Sequence, residues 1–240
     1  GEVLFRRGEM DAARTQFETA IRIRSERQRS RYDFPLAVMH SSLGSVLQRE
    51  QRMEEALAHF RRAIQLQPDY GQAYDNLAAT LAEIGRPQEA LAVLRQATAE
   101  QPENAGAHVG IGTLLLQAGS EEEAVAAYEK ALAIAPRATT ALNNLAWLYA
   151  TSRKPSLHNP ARALLLAEQA VSASTEKDPF LLHKLAAAYA ANGRFPEAVQ
   201  TAEHALQLAL TRNDADLAGE LKRNLALYRS GSPIAGVPPP

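Results

Sequence analysis

The sequence predicts an all-α fold made of stacked helical hairpins. Three segments repeat at an interval of 34 residues, namely 54–70, 88–104 and 122–138. Their small residues and their prolines recur in register, as Ala56, Ala90, Ala124 and Pro68, Pro102, Pro136. Apolar residues in every patterned stretch follow the 3.6-residue period of a helix, and none alternates as in a strand. We therefore expect about thirteen helices and no sheet.

Each repeat is expected to form a hairpin of two antiparallel helices. Small residues such as Ala56 and Ala63 let the two helices approach closely, while Phe60 between them fills the gap to the next hairpin. Glycines such as Gly85 mark the turn between the helices, and the recurring proline ends the second helix because it breaks the hydrogen-bond ladder. A single hairpin cannot bury its apolar stripe, so the hairpins must stack.

This pattern resembles the tetratricopeptide repeat (TPR) family in its 34-residue period and its small-large-small-proline signature. The resemblance implies a right-handed α-solenoid of about six TPR hairpins, the first of them truncated, with a C-terminal capping helix. The expected solenoid covers 1–230, with repeats at about 1–27, 37–70, 71–104, 105–138, 139–174 and 179–212, and a capping helix at about 214–230. A flexible tail is expected at 231–240. Residues 143–233 also resemble the array that ends longer bacterial TPR proteins.

The fifth repeat contains a segment whose residue types also occur in active sites. Between its two helices the chain carries Lys154, Ser156 and His158, and its second helix resumes five residues late, at Ala163. Pro155 breaks helical structure there, and Pro160 can start the next helix at its first turn. The segment has neither a buried acid to orient the histidine nor a glycine-rich oxyanion loop. We therefore interpret it as a lengthened turn and expect no catalysis.

Composition gives no sign of a cofactor, a nucleic acid or a membrane span. Lysine plus arginine (26) nearly equals aspartate plus glutamate (27), so the net charge of −1 creates no field that gathers nucleic acid. Cysteine is absent, and the six histidines show no pair at i,i+4 spacing, so we expect no metal site. This composition suits a cytoplasmic or a periplasmic protein equally.

A local run of arginines lies at the junction of the first two repeats. Five arginines fall within ten residues, at Arg22, Arg24, Arg27, Arg29 and Arg31. The run could contact an acidic partner or another anion. Glu26 interrupts it, which favours a solvated extension of the preceding helix.

The resemblance also implies a binding surface, because the first helices of successive TPR hairpins line a concave groove. Carrying this phase across gives eight candidate partner-binding residues: Arg49, Asp75, Asn76, Asn143, Asn144, Trp147, His183 and Lys184. Neither a full carboxylate clamp nor a full asparagine ladder is present. Trp147 has two interpretations that the sequence leaves open, namely an anchor for a bound peptide or packing between hairpins.

The predicted function is that of a non-catalytic protein–protein interaction scaffold. It would bind a peptide or a partner domain in its groove, as a module of a larger bacterial protein. The alternative is a structural assembly module that self-associates or packs against other domains of a parent enzyme. Peptide capture by a monomer would favour the first function, and concentration-dependent association the second. The sequence does not decide the oligomeric state.

Overall fold

A computed structural model describes residues 1–27, 34–174 and 178–234. This part of the chain contains thirteen α-helices and no strand, which confirms the predicted fold class. The helices are α1 (Glu2–Arg6), α2 (Met10–Arg27), α3 (Phe34–Arg49), α4 (Met53–Leu66), α5 (Gly71–Glu83), α6 (Pro87–Glu100), α7 (Ala105–Gln117), α8 (Glu121–Ile134), α9 (Thr139–Thr151), α10 (Pro160–Ala173), α11 (Pro179–Ala191), α12 (Phe195–Thr211) and α13 (Ala215–Arg229).

The chain forms two compact units. The N-terminal unit is Gly1–Leu114 and the C-terminal unit is Leu115–Pro240. In the N-terminal unit α3 packs on α4 and α5 packs on α6, while in the C-terminal unit α9 packs on α10 and α11 packs on α12. These pairs are the hairpins that the 34-residue period predicts. None of the helices in the described ranges is both long and apolar enough to cross a membrane.

The residues that define the repeat lie in the interior. The alanine at the first small position of the repeat is fully buried in each second helix, at Ala13, Ala56, Ala90, Ala124, Ala163 and Ala198. The large residues Phe60, Leu94 and Tyr128 are buried as well. Gly44 shows how closely the helices approach, because a Cβ atom there would lie 2.6 Å from Cε1 of Phe60. Small residues are therefore needed where large ones from the paired helix fill the space.

The turn between the helices of a hairpin requires a left-handed backbone. Gly85, Gly119 and Gly193 occupy the same place in three repeats, with φ values of 77°, 78° and 73°. In the second repeat this place is taken by Gln51, with φ of 61°. A residue with a Cβ atom is strained in this conformation, whereas glycine adopts it freely.

We expect that Gln51→Gly stabilises the protein by about 0.5–1 kcal/mol, because relief of this strain exceeds the entropy that glycine adds to the unfolded chain. Urea denaturation followed by circular dichroism measures the change. Gly85→Ala is the matched control, since its added Cβ would meet no atom within 4 Å and tests the backbone conformation alone. It should destabilise the protein by a similar amount. A glycine at position 51 that left stability unchanged or lowered would contradict this account.

The lengthened turn of the fifth repeat, between α9 and α10, packs against α8 of the preceding repeat. The Ser152 hydroxyl donates a hydrogen bond to Glu121 (2.7 Å), and Lys154 Nζ lies 2.6 Å from Oε2 of Glu122. Asn159 closes the turn, since its N–H donates to the Tyr149 carbonyl (2.9 Å) and its side chain caps α10. Helix α10 begins at Pro160, as predicted. The polar side chains of the turn thus hold it against α8 and start the next helix.

The two ends of the predicted array differ in how much the structure describes. Helix α2 continues to Arg27, so Arg22 and Arg24 lie in an extended helix, whereas Arg29 and Arg31 lie outside the described residues. At the other end, Asp214 caps α13, the predicted capping helix. Ile234 is only 4% exposed and packs in the core with residues of α13. The packed region therefore reaches into the predicted tail of 231–240, of which 235–240 lie outside the described residues.

Candidate functional site

The eight predicted groove residues separate into two groups that differ in burial. Arg49, Asp75 and Asn76 belong to the N-terminal unit, and their side chains are exposed or half-buried. The other five belong to the C-terminal unit, where all except the half-buried Asn144 are buried: Asn143, Asn144, Trp147, His183 and Lys184. The first group is therefore the more exposed of the two.

Asp75 lines an open pocket of 590 Å³ at the start of α5, which we call the acidic pocket. Its other lining residues are Gly71, Gln72, Gln101, Pro102, Glu103 and Asn104. Two contacts build the pocket. Gly71 leaves room for the loop between α6 and α7, because a Cβ atom there would lie 2.8 Å from Nδ2 of Asn104. Gln101 Nε2 then donates a hydrogen bond of 2.6 Å to the Asp69 carbonyl, which ties the loop to the segment before α5.

The acidic pocket carries uncompensated negative charge. Neither carboxylate, Asp75 or Glu103, forms a hydrogen bond or ion pair through its side chain with any described residue. Although the Asp75 side chain is exposed, packing around it removes part of the water from the carboxyl group. This desolvation raises the pKa of Asp75 above its ordinary value. A partly desolvated carboxylate is stabilised by the approach of a positive charge.

Arg49 and Asn76 are engaged within the N-terminal unit and do not line the acidic pocket. The Arg49 guanidinium lies over the ring of Phe5, with its Cζ atom 4.2 Å from the ring centroid. Asn76 Nδ2 donates to the hydroxyls of Ser41 (3.3 Å) and Ser45 (3.5 Å). These two side chains therefore connect neighbouring hairpins. The residue pattern predicts that both face the groove, and this stays a prediction for positions outside the acidic pocket.

Four of the five predicted residues of the C-terminal unit join residues of α13 in a polar cluster. This largely buried cluster consists of Asn144, Trp147, His183, Lys184, Glu220 and Asn224. Lys184 Nζ donates to Asn144 Oδ1 (2.7 Å), and Asn144 Nδ2 donates to the Tyr128 hydroxyl (3.0 Å). The contribution of α13 was not predicted from the repeat pattern. The available signal was Asn224, a polar residue within the apolar stripe of the capping helix.

His183 is fully buried and neutral. Asn224 Nδ2 donates to His183 Nε2 across 2.8 Å, so the hydrogen of the neutral ring lies on Nδ1. Burial, with a smaller contribution from the Lys184 charge, lowers the pKa of His183 to about 4. Trp147 lies against this ring, with the ring centroids 5.2 Å apart, and is 1% exposed. This burial is what the second interpretation of Trp147, packing between hairpins, predicts.

Lys184 keeps its positive charge at neutral pH despite burial. Desolvation lowers the pKa of Lys184 to about 8, while the charges of Glu220 and Asp178 act in the opposite direction. Two buried atoms of the cluster, Trp147 Nε1 and His183 Nδ1, have no hydrogen-bond partner in the described part of the chain, and the same holds for Oδ1 of the buried Asn143. The hydrogen bonds of Asn144, Lys184 and Asn224 are made within the C-terminal unit.

Hairpins with buried alanines, left-handed turns and a capping helix define an α-helical repeat protein of the solenoid class. Family models described as tetratricopeptide repeat match residues 35–99, 76–139 and 181–216. The chain belongs to the tetratricopeptide repeat family, which confirms the resemblance seen in the sequence. Proteins of this family are in general protein-interaction scaffolds.

Solved structures with the same fold cover most of the chain. PilW, a widely conserved type IV pilus biogenesis factor, is 18% identical, with a TM-score of 0.68 over 92% of this chain and 94% of that chain. A tetratricopeptide repeat protein from Parabacteroides merdae is 19% identical, with a TM-score of 0.64 over 96% and 88%. YrrB, described as a TPR protein with an unusual peptide-binding site, is 18% identical, with a TM-score of 0.57 over 86% and 97%. No curated protein sequence gives a significant match.

Proposed function

We propose that this chain is a non-catalytic scaffold that binds an extended segment of a partner protein, and that the acidic pocket receives a basic side chain of that segment. The observation that carries the proposal is the unpaired carboxylate of Asp75 in an open pocket. The partner is therefore expected to present lysine or arginine. This extends the predicted role of Asp75 and replaces the tryptophan anchor with a charged one.

The size and charge of the acidic pocket support a basic side chain as its occupant. A volume of 590 Å³ lies within the range of roughly 300–1,000 Å³ in which small ligands bind. An ion pair formed where a carboxylate has lost part of its water is stronger than one on the open surface. Binding of a cation would also lower the pKa of Asp75 back toward its ordinary value. Peptide binding by YrrB, which shares the fold, is in keeping with this proposal.

Fluorescence anisotropy with labelled peptides tests the proposal. A panel of extended peptides is compared in matched pairs that carry either arginine or its neutral analogue citrulline at one position. We expect arginine peptides to bind more tightly, and Asp75→Asn to weaken them about fivefold, since a partly exposed ion pair contributes about 1 kcal/mol. Citrulline peptides should respond little to the substitution.

Glu123→Gln is the matched control for Asp75→Asn. Glu123 is an exposed carboxylate in the first turn of α8, without a side-chain partner among the described residues, and it lies far along the chain from the acidic pocket. The Glu123→Gln substitution removes the same charge as Asp75→Asn and should leave peptide affinity unchanged. Equal weakening by both substitutions would indicate general electrostatic attraction and would remove the pocket from the proposal.

Light scattering separates the scaffold from the assembly module. A constant monomer mass together with peptide binding supports the scaffold. A mass that rises with protein concentration, in a sample that binds none of the peptides, would support self-association instead.

A further inference from the structure

Two histidines that are far apart in the sequence meet within the second repeat. His40 lies on α3 and His59 on α4, and their Nδ1 atoms are 2.8 Å apart. Both side chains are half-buried, so they remain accessible from solvent. The ring centroids are 5.0 Å apart and the ring planes are tilted by 30°, so the two Nδ1 edges face each other. No part of the proposed peptide site uses these residues.

A contact this short limits what can lie between the two nitrogens. They can share one hydrogen, which one ring donates and the other accepts, but they cannot both be protonated in place. Burial is the main cause that lowers the pKa of His40 to about 4, and it lowers the pKa of His59 as well. Burial therefore favours the neutral form of both imidazoles. Neutral imidazole is the form that binds metal ions.

We propose that His40 and His59 form a two-histidine site for a divalent transition-metal ion of the Cu²⁺ or Ni²⁺ type, which links α3 to α4. Nitrogen ligands at about 2.0 Å from one ion and at a right angle to each other are separated by about 2.8 Å. Tetrahedral ligands, which Zn²⁺ prefers, are about 3.3 Å apart. The observed Nδ1 spacing of 2.8 Å matches the square-planar or octahedral arrangement.

Binding changes the tautomer and the tilt of the rings but releases no proton. Both rings then carry their hydrogen on Nε2, and each must turn from its present head-on position until its Nδ1 lone pair points about 45° away from the line that joins the two nitrogens. Water supplies the remaining ligands, because the described residues contain no group of three or more histidine, aspartate or glutamate side chains arranged for a metal. The charges of Glu18 and Glu55 act on His59 and favour a cation, whereas Arg62 near His40 opposes it.

Titration of the metal-free protein with NiCl₂ and, separately, CuCl₂ tests the site. Isothermal calorimetry at pH 7.5 should give one ion per chain, and each of His40→Gln and His59→Gln should weaken binding at least tenfold. His158→Gln, in the exposed turn, and His204→Gln, on α12, are the matched controls and should bind as the unchanged protein does. Circular dichroism confirms beforehand that each variant is helical.

Electron paramagnetic resonance of the Cu²⁺ complex gives a readout that needs no variant. Hyperfine coupling to two imidazole nitrogens supports the site, as does a melting temperature that Ni²⁺ raises in the unchanged protein and not in His40→Gln. Coupling to a single nitrogen would overturn the proposal. So would equal affinity of the unchanged protein and both His→Gln variants, because binding would then rest on other residues.

Discussion

Replacing Trp147 by alanine is expected to lower the free energy of unfolding by about 3–5 kcal/mol. Trp147 is the largest fully buried side chain and packs in one core cluster with residues of α11, α12 and α13. Its removal would leave a cavity between hairpins that the rigid helices cannot fill by collapse. Urea denaturation followed by circular dichroism at 222 nm measures the loss.

Phe180→Ala is the matched control for Trp147→Ala. Phe180 is an aromatic residue of the same unit, on α11, but it is 42% exposed, so its loss should cost less than about 1 kcal/mol. Trp147 is also the single tryptophan, and its emission should be blue-shifted and resistant to soluble quenchers. A cost below 1 kcal/mol for Trp147→Ala, with readily quenched emission, would instead place the indole on the surface as a peptide anchor.

Acid should destabilise the C-terminal unit through His183. Its pKa of about 4 in the folded chain lies below the unfolded value of 6.5, so below pH 6.5 the unfolded chain binds a proton that the folded chain excludes. Stability is therefore lost as the pH falls from 6.5 toward 4, by up to about 3 kcal/mol from this residue. Above pH 6.5 the ring is neutral in both states and contributes no pH dependence.

Denaturation at pH 7.5, 6.0 and 5.0 measures this loss. His183→Gln should show a shallower decline than the unchanged protein, because glutamine cannot bind the proton. His158→Gln, in the exposed turn, should keep the full decline. The pair of His40 and His59 adds the same acid sensitivity to the unchanged protein and to both variants. The contribution of His183 is therefore measured as the difference between the variants. Parallel declines for all three proteins would show that His183 is protonated as easily in the folded chain as in the unfolded one.

The fold could be read from the sequence because its determinants are local and repeated. An alanine such as Ala56 or Ala90 sits where two helices touch, and a glycine such as Gly85 sits where the backbone turns left-handed. Each of these residues acts within one hairpin, so residues that recur at a fixed interval in the sequence produce hairpins that repeat in the structure. Gln51 shows the limit of such reasoning, since the structure imposes the left-handed turn on a residue that does not favour it.

The candidate site could be predicted only in part, because burial depends on distant chain segments. The repeat phase predicts neighbouring positions on α9 and α11 for Asn144, Trp147 and Lys184, and in the structure Lys184 contacts the other two. It cannot show that Asn224 of α13, 41 residues after His183, joins this cluster and helps to bury it. The contact between His40 and His59 was missed for a related reason. A search for histidines one helical turn apart does not detect residues that meet across two helices.

The lengthened turn of the fifth repeat shows that helix packing, and not the number of residues between helices, keeps the buried alanines in equivalent positions. Five extra residues separate α9 from α10, yet Ala163 and Ala170 reach the same buried places as their counterparts in other repeats. The extra chain is taken up by contacts with Glu121 and Glu122 on α8, outside the packed helix faces. The 34-residue spacing of the repeats is thus a consequence of how the helices pack and not the cause of that packing. Such a turn is a place where residues can be inserted without disturbing the packing of the hairpins. A search of the sequence for repeats at a strict 34-residue interval would therefore miss this hairpin.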